Sequence, residues 1–142
     1  MLGKLVQNLA KRGCITIDKR SSLFELADLL STKKIGAVVI VDDNKKPIGI
    51  VSERDIVRHL HKSNEEFSEK NVSDIMSTKL ITCGLSYSSS ELMELMTKHK
   101  VRHIPIVNNG ELIGMVTIGD VVNRLIEIYE TETEHLKKYI NS

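Results

Sequence analysis

The sequence predicts a mixed α/β (α+β) fold made of two βαββα repeats. Three observations predict it: an internal duplication, a capping box at the same place in each copy, and two paired strands after each capped helix. Residues 15–41 align without a gap over residues 81–107. After one residue is lost in a turn, residues 48–60 align over residues 113–125. A duplication of this length identifies two related structural units in one chain.

Each copy is predicted to begin with a short strand, 14–17 or 80–83, followed by a helix. Both helices open with Ser-x-x-Glu, starting at Ser22 and at Ser88. In such a capping box, the hydroxyl and the carboxylate each satisfy a backbone N–H that the first helical turn leaves unpaired. Residues at positions i, i+3, i+4 and i+7 then form the face that we expect to be buried. These residues are Leu23, Leu26, Ala27 and Leu30 in copy one, and Ser89, Leu92, Met93 and Met96 in copy two.

Two strands and a second helix complete each copy. The strands of copy one, 37–41 and 48–52, are joined by a turn rich in Asp and Asn. Those of copy two, 104–107 and 113–117, are joined through Asn-Gly, a strong hairpin signal. The last helix of each copy begins near Asp55 or near Asp120.

The predicted domain boundaries follow from these elements. They are an N-terminal amphipathic helix (1–13) ended by Gly13, repeat 1 (14–61), a polar linker (62–71), repeat 2 (72–126) and a C-terminal helix extension (127–142). A unit of about 65 residues buries only about 60% of its unfolded surface and is marginal alone. We therefore expect the repeats to pack about a pseudo-two-fold axis, with ligand crevices between them. Apolar residues of the extension are expected to cover the other copy or to form a dimer contact.

Composition excludes several classes of function. Twenty Lys and Arg against 19 Asp and Glu give a net charge of +1, which argues against a general nucleic-acid binder. The longest strongly apolar run, 37–41, is far shorter than the roughly 20 residues of a membrane-spanning helix, and the N-terminus lacks a signal-peptide pattern. Cys14 and Cys83 form no CxxC, which favours two small core residues in a reducing, cytoplasmic compartment.

A repeated motif offers the strongest candidate for a binding site. Gly-x-x-Ser-x-x-Asp spans residues 49–55, and Gly-x-x-Thr-x-x-Asp spans residues 114–120. Ser or Thr followed by Asp three residues later is a helix N-cap pattern, so a structural role is one interpretation. A helix N-terminus also favours anions, and a nearby Asp can accept hydrogen bonds from a ribose diol. Both interpretations can hold, because a cap and a ligand can share one helix end.

Two βαββα copies that each carry this motif resemble a tandem pair of cystathionine β-synthase (CBS) domains, also called a Bateman module. The segment Val-Arg-His-Ile-Pro-Ile-Val at 101–107 is also close to that family's second-strand pattern. The resemblance covers about residues 14–126 and is closest to stand-alone, bacterial-type CBS-pair proteins. It implies regulatory binding of an adenosyl compound: AMP, ADP, ATP, NAD or S-adenosylmethionine.

The resemblance also implies which residues hold the ligand. Asp55 and Asp120 would bind the ribose, with Ser52 and Thr117 beside the ribose or phosphate. The start of each copy and the start of its second strand would meet the base, and the Arg-His pair would reach phosphate. The other candidates are Thr16, Ile17, Ile35, Gly36, Ala37 and Arg54 in copy one, and Thr82, Cys83, Val101, Arg102, His103, Ile104, Pro105 and Gly119 in copy two.

Differences between the copies predict unequal sites. Copy two has Arg102 and His103 where copy one has Gly36 and Ala37. Since a charge-assisted hydrogen bond contributes about 1.5–3 kcal/mol, we expect the Asp120 site to bind nucleotide better. Arg54 can serve a crevice or form part of a solvated helix surface. Pro105 indicates a strand edge, or a local opening beside the crevice.

The sequence indicates a sensor and not an enzyme. It contains no recognisable nucleophile–base pair, P-loop or metal-ligand cluster. His59-x-His61 places two histidines on different sides of a helix, so we predict no metal site. The predicted partners are an adenine nucleotide, a second copy of the chain and a separate effector protein, with no nucleic acid or membrane. A ligand-free scaffold and a small nucleotide-acting enzyme remain as alternatives.

Overall fold

The computed structural model describes residues 4–62 and 69–141. The helices are α1 (Lys4–Arg12), α2 (Leu23–Lys33), α3 (Glu53–Lys62), α4 (Val72–Ile75), α5 (Ser89–His99) and α6 (Ile118–Asn141). The strands are β1 (Thr16–Ile17), β2 (Ala37–Val41), β3 (Pro47–Ser52), β4 (His103–Asn108) and β5 (Glu111–Thr117). This is the predicted mixed fold of helices and small sheets. A three-stranded sheet lies in copy one and a two-stranded sheet lies in copy two.

Both helices that the capping boxes predict are present. Ser22 Oγ accepts a hydrogen bond from Glu25 N at 3.0 Å, and Ser88 Oγ accepts one from Glu91 N at 3.1 Å. In copy two, Ser88 N also donates to Glu91 Oε1 at 3.2 Å, which closes the box in both directions. The predicted inner faces are buried or half-buried throughout, including the two methionines of α5. Sequence periodicity therefore places both helices correctly.

The first sheet has the order β1-β2-β3. β1 runs parallel to β2, and β2 is antiparallel to β3, with Ala37 opposite Ser52. Asp42 organises the β2–β3 turn, because its Oδ1 accepts from Asn44 N and Lys46 N, both at 2.9 Å. These bonds add to two backbone hydrogen bonds in the same turn, from Asp42 N to the Lys46 carbonyl and from Lys45 N to the Asp42 carbonyl.

The second sheet contains β4 and β5 and lacks the predicted opening strand 80–83. That segment contributes a single parallel bridge, Cys83 to Ile106. Asn109 (φ 53°) and Gly110 (φ 81°) form the predicted turn between β4 and β5 with left-handed backbone, as a two-residue hairpin loop requires.

The chain divides into two compact units that differ from the predicted domain boundaries. The copy-one unit contains residues 14–62, 69–80 and 108–112 of the described chain. The copy-two unit contains residues 4–13, 81–107 and 113–141. The helix α1 thus belongs with copy two, and the segment that leads into copy two belongs with copy one.

The linker predicted at 62–71 falls partly on residues 63–68, which lie outside the described residues. Its end is structured: Asn71 caps the short helix α4, and Asn71 N donates to Asp74 Oδ2 at 2.8 Å. Val72 N and Ser73 N donate to the carbonyls of Ser21 and Lys19, which tie α4 to copy one. The sequence analysis did not predict α4, although Asn71-x-x-Asp74 has capping-box spacing.

Each unit has its own hydrophobic core. The copy-two core draws Val6 and Leu9 from α1, besides residues of α5, β4, β5 and α6. The copy-one core similarly includes Val72 of α4. Cys83 is a core residue, as predicted, whereas Cys14 is only half-buried, so its placement in a core was wrong. Each core therefore includes residues of the segment that leads into the other copy.

Candidate functional site

The repeated motif forms the same hydrogen-bonded cap in both copies. Asp55 Oδ2 accepts from Ser52 N at 2.7 Å and from Ser52 Oγ at 3.0 Å, while Ser52 Oγ accepts from Asp55 N at 3.3 Å. Asp120 Oδ2 accepts from Thr117 N and Thr117 Oγ1, both at 2.9 Å, and Thr117 Oγ1 accepts from Asp120 N at 3.2 Å. The structural interpretation of the motif is therefore correct, and α3 and α6 begin two residues before the aspartate.

The start of the second strand lies beside each cap. Glu53 N donates to the Gly36 carbonyl at 2.9 Å in copy one, and Ile118 N donates to the Arg102 carbonyl at 2.9 Å in copy two. Each unit thus brings together the helix end and the segment that the resemblance assigned to base recognition. The two hydrogen bonds join equivalent backbone positions in the two copies, although the acceptor is Gly36 in copy one and Arg102 in copy two.

The first-strand candidates lie close to these groups in the sheet. Thr16 pairs with Val39, two residues beyond Ala37. In copy two, Cys83 N donates to the Pro105 carbonyl at 3.0 Å. Pro105 has no backbone N–H to donate, so it takes part in strand pairing only through this oxygen. Each unit therefore gathers all three of its candidate segments.

Not every candidate side chain can face a ligand. Ala37, Cys83 and Ile104 are buried within the units, and so is Pro105. Burial raises the pKa of the Cys83 thiol to about 12, which makes it an unreactive core group. These four positions can offer a ligand only backbone atoms. Thr16, Arg54, Thr82, Arg102 and Gly119 are exposed, and the remaining candidates are half-buried.

Asp120 has a partner that the sequence analysis did not predict. Arg12, at the end of α1, donates from Nη2 to Asp120 Oδ2 at 3.1 Å and from Nη1 to Oδ1 at 3.4 Å. Arg12 Nη2 also donates to the Met115 carbonyl at 3.2 Å. No local sequence signal could have revealed this contact, since 108 positions separate the two residues.

The two carboxylates consequently differ in electrostatic environment. Burial alone would raise the pKa of Asp120, but hydrogen bonds from Arg12 and from Thr117 outweigh it and lower the pKa. At Asp55, Arg58 Nη1 lies 3.9 Å from Oδ1. The Asp120 carboxylate is therefore held in its charged form by hydrogen bonds from an arginine, whereas the Asp55 carboxylate forms a longer ion pair with Arg58.

A small cavity adjoins the copy-two cap. It has a volume of about 260 Å³ and lies between α1 and α6. Its lining residues are Leu5, Asn8, Asp120, Asn123, Arg124 and Glu127. It places polar groups from two helices around one face of Asp120.

Two kinds of feature are absent from the part of the chain that the structure describes. Within residues 4–62 and 69–141, His, Cys, Asp and Glu nowhere form a group of three that could hold a metal ion. In that same part, none of the helices has the length and apolarity needed to cross a bilayer.

Comparison with known proteins identifies the family. The model of the CBS domain matches residues 6–62 and again residues 72–127. The chain belongs to the CBS domain family. CBS-pair proteins are commonly regulatory and bind nucleotides. The two matches leave out only the chain ends and part of the predicted linker.

Relatives of known structure share this CBS-pair fold. The CBS-domain protein ATU1752 of Agrobacterium tumefaciens is 34% identical, with a TM-score of 0.78 over 84% of this chain and 97% of that chain. CBSX2, solved in complex with AMP, is 27% identical, with a TM-score of 0.70 over 82% of this chain and 90% of that chain.

Among curated relatives, the uncharacterized protein MK0525 of Methanopyrus kandleri is 35% identical over 135 residues, covering 94% of this chain and 69% of its own. This chain spans 62% of the mitochondrial CBS domain-containing protein CBSX3 of Arabidopsis thaliana and 32% of the uncharacterized protein MJ1404 of Methanocaldococcus jannaschii. These two relatives are therefore considerably longer than this chain.

Proposed function

We propose that this chain is a regulatory module that binds an adenine nucleotide, AMP, ADP, ATP or NAD, and that it is not an enzyme. The observation that carries the proposal is the repeated cap, in which Ser52 or Thr117 fixes one oxygen of the following aspartate. A carboxylate held in this way is preorganised to accept hydrogen bonds from a ribose through its other oxygen. The AMP complex of CBSX2 supports an adenine nucleotide as the class of ligand.

The caps also suit the anionic part of a nucleotide. Each cap lies at a helix N-terminus, where the helix dipole and the backbone N–H groups favour negative charge. Exposed Arg54 lies in the first turn of α3, and exposed Arg102 precedes β4 next to α6. We assign phosphate contacts to these two arginines. His103 is a further phosphate candidate in copy two, at the position that Ala37 occupies in copy one.

Regulation would follow from differential binding. A nucleotide can shift the arrangement of the CBS pair only if it binds one arrangement more tightly than another. The shift would then be detected by a separate effector protein. The cytoplasm is the location that two cysteines without a disulfide favour.

Nucleotide binding can be tested by thermal unfolding of the full chain with AMP, ADP, ATP, NAD and S-adenosylmethionine. A ligand at 100 times its dissociation constant stabilises the folded state by about 2.7 kcal/mol. For a chain of this size we expect Tm to rise by about 5–10 °C. Mass spectrometry of the protein purified under native conditions would identify any nucleotide that it already carries.

Asparagine substitutions locate the binding site. Asp55→Asn and Asp120→Asn should each weaken binding by about tenfold or more, because each removes a charged acceptor of ribose hydrogen bonds. The matched control is Asp28→Asn, on the exposed face of α2, which should leave binding unchanged. Circular dichroism would verify that each variant keeps its fold.

Three results would contradict the proposal. If none of the five compounds raises Tm, the ligand-free scaffold becomes the better interpretation. If the double variant Asp55→Asn/Asp120→Asn binds nucleotide like the original chain, the caps are not the site. Conversion of ATP or NAD to a product during incubation would restore the enzyme alternative.

A further inference from the structure

The last helix carries an exposed apolar seam with coiled-coil spacing. The seam consists of Val122, Ile126, Tyr129, Thr133, Leu136 and Ile140. Successive members are separated by four, three, four, three and four residues, which is the alternation of d and a positions in a heptad repeat. Five of the six residues are apolar. The seam runs from residue 122 to residue 140 and therefore continues beyond the end of the CBS repeat into the C-terminal extension.

Most of this seam has no cover within the described chain. Tyr129 is 70% exposed, Leu136 is 63% exposed and Ile140 is 77% exposed. Every residue of α6 from 126 onward is exposed except Thr133, which is half-buried. A continuous apolar stripe of this kind on a helix indicates a surface that packs against another helix.

The helix is preformed for such packing. Its first turns are anchored in the copy-two unit by the Thr117–Asp120 cap and by buried Val121. Nucleation, the costly step for an isolated helix, is therefore complete before any partner binds. The one polar seam residue, Thr133, donates its hydroxyl to the Tyr129 carbonyl at 2.9 Å, so it leaves no unsatisfied donor in the seam.

Charge along the flanks of the seam selects the partner and its direction. In this heptad Glu132 occupies a g position, and Glu130 and Lys137 occupy e positions. A parallel pair of identical helices places Glu132 of each copy beside Lys137 of the other. An antiparallel pair that overlaps the whole seam would instead place Glu130 beside Glu130 of the second copy, and Glu132 beside Glu132 of the second copy. Both contacts bring two negative charges together and are repulsive.

We propose that α6 pairs in parallel with α6 of a second copy of this chain through the 122–140 seam. The seam is self-complementary in register, because each a or d layer then contains the same residue from both copies. A two-fold axis runs along the helix pair. The inference does not depend on nucleotide binding, since no cap residue takes part in the seam.

The oligomeric state of the full chain, measured by sedimentation equilibrium over a range of concentrations, tests the pairing. We expect a dimer, and we expect Leu136→Glu to raise its dissociation constant by about a hundredfold or more. The control is Thr131→Glu, an exposed f-position residue of the same helix, which should leave the dissociation constant unchanged. Because both residues are exposed in the single chain, neither variant should lower the Tm measured at concentrations where the chain is monomeric.

The direction of pairing is tested by charge and by crosslinking. Lys137→Glu should weaken the dimer, and Glu132→Lys combined with Lys137→Glu should restore it. In a Cys14→Ser background, Leu136→Cys should form a disulfide with its own counterpart in the dimer. Ile126→Cys mixed with Leu136→Cys should give no mixed disulfide above the level expected from the monomers.

Three outcomes would overturn the inference. A chain that stays monomeric at every concentration has no such interface. A dimer that Leu136→Glu leaves intact uses another surface. A mixed disulfide between positions 126 and 136, without the 136–136 disulfide, requires the antiparallel arrangement.

Discussion

At the scale of single residues, Asp120 stabilises a helix end and also holds an arginine. Its Oδ2 accepts from Thr117 and from Arg12, and its Oδ1 lies 3.4 Å from Arg12 Nη1. A ribose that bonds to this carboxylate must either share the carboxylate with Arg12 or displace Arg12 from it. The ion pair is exposed on the arginine side, at 54%, so breaking it costs little free energy.

Competition between Arg12 and ribose predicts that Arg12→Ala tightens nucleotide binding at the copy-two cap. An exposed ion pair contributes at most about 1 kcal/mol, so we expect about a two- to fivefold lower dissociation constant. Isothermal titration in the Asp55→Asn background isolates this site. Lys11→Ala is the matched control, because it removes a neighbouring exposed positive charge and should not tighten binding. Weaker binding by Arg12→Ala would make Arg12 a ligand contact.

The lowered pKa of Asp120 predicts a specific acid sensitivity. Its folded-state pKa lies below the unfolded value of about 3.9, so its stabilising contribution is complete above that pH and is lost as pH falls through the folded pKa. The difference in free energy of unfolding between the original chain and Asp120→Asn should therefore shrink as pH falls below about 3.9. Urea titrations at several pH values measure it.

The physical origin of that pKa provides the check. Since Arg12 supplies part of the stabilisation of the charged carboxylate, the same comparison made in an Arg12→Ala background should show a smaller pH dependence. A difference that stays constant from neutral to acidic pH would show that Asp120 titrates alike in the folded and unfolded chain.

At the scale of elements, the motif glycines admit a segment of chain against the sheet. A Cβ on Gly114 would lie 3.2 Å from Ala10 Cα and 3.4 Å from the Leu9 carbonyl oxygen. A Cβ on Gly49 would lie 2.5 Å from Met76 Sδ and 3.3 Å from the Ser77 carbonyl oxygen. In both copies, the first residue of the motif is a glycine because the chain segment that precedes the other copy packs directly against it.

Gly114→Ala should therefore destabilise the copy-two unit by about 1–3 kcal/mol, because the added methyl group meets helix backbone that cannot yield locally. Gly119→Ala is the control, since its nearest described neighbour, Thr117 Oγ1, is 3.7 Å away in ordinary contact. It should be neutral or slightly stabilising, as expected for glycine in a helix. Equal denaturation midpoints for the two variants would contradict this account of Gly114.

Local signals explain which elements could be predicted from the sequence. Ser22 and Ser88 mark helix starts through bonds within three residues, and Asn109-Gly110 marks a turn through its own backbone preference. The prediction of a strand at 80–83 was wrong because strand formation depends on hydrogen bonding to a neighbouring strand. In that segment only Cys83 forms a bridge, with Ile106. The caps followed from spacing, but the Arg12–Asp120 contact depends on tertiary packing that no local pattern encodes.

At the scale of the whole molecule, the duplicated sequence does not divide into two independent folding units at its repeat boundaries. The copy-two core needs Val6 and Leu9 from the start of the chain, and the copy-one unit needs residues 69–80 from the lead-in to copy two. Both repeats alone are near the lower size limit for a stable core. We therefore expect each unit to need the segment that completes its core, α1 for the copy-two unit and residues 69–80 for the copy-one unit.

A dissected chain tests this dependence. Residues 81–142 alone should unfold without a cooperative transition, whereas the same fragment with residues 1–13 joined to its N-terminus by a flexible linker of about 12 residues should regain one. The joined helix restores two buried apolar side chains and the Arg12–Asp120 ion pair, and burying the two side chains contributes about 3–6 kcal/mol. The control carries Val6→Asp and Leu9→Asp in the joined helix and should behave like the bare fragment in thermal unfolding followed by circular dichroism. If the bare fragment already unfolds cooperatively at the same temperature as the joined one, α1 is an accessory to the copy-two unit and not part of its core.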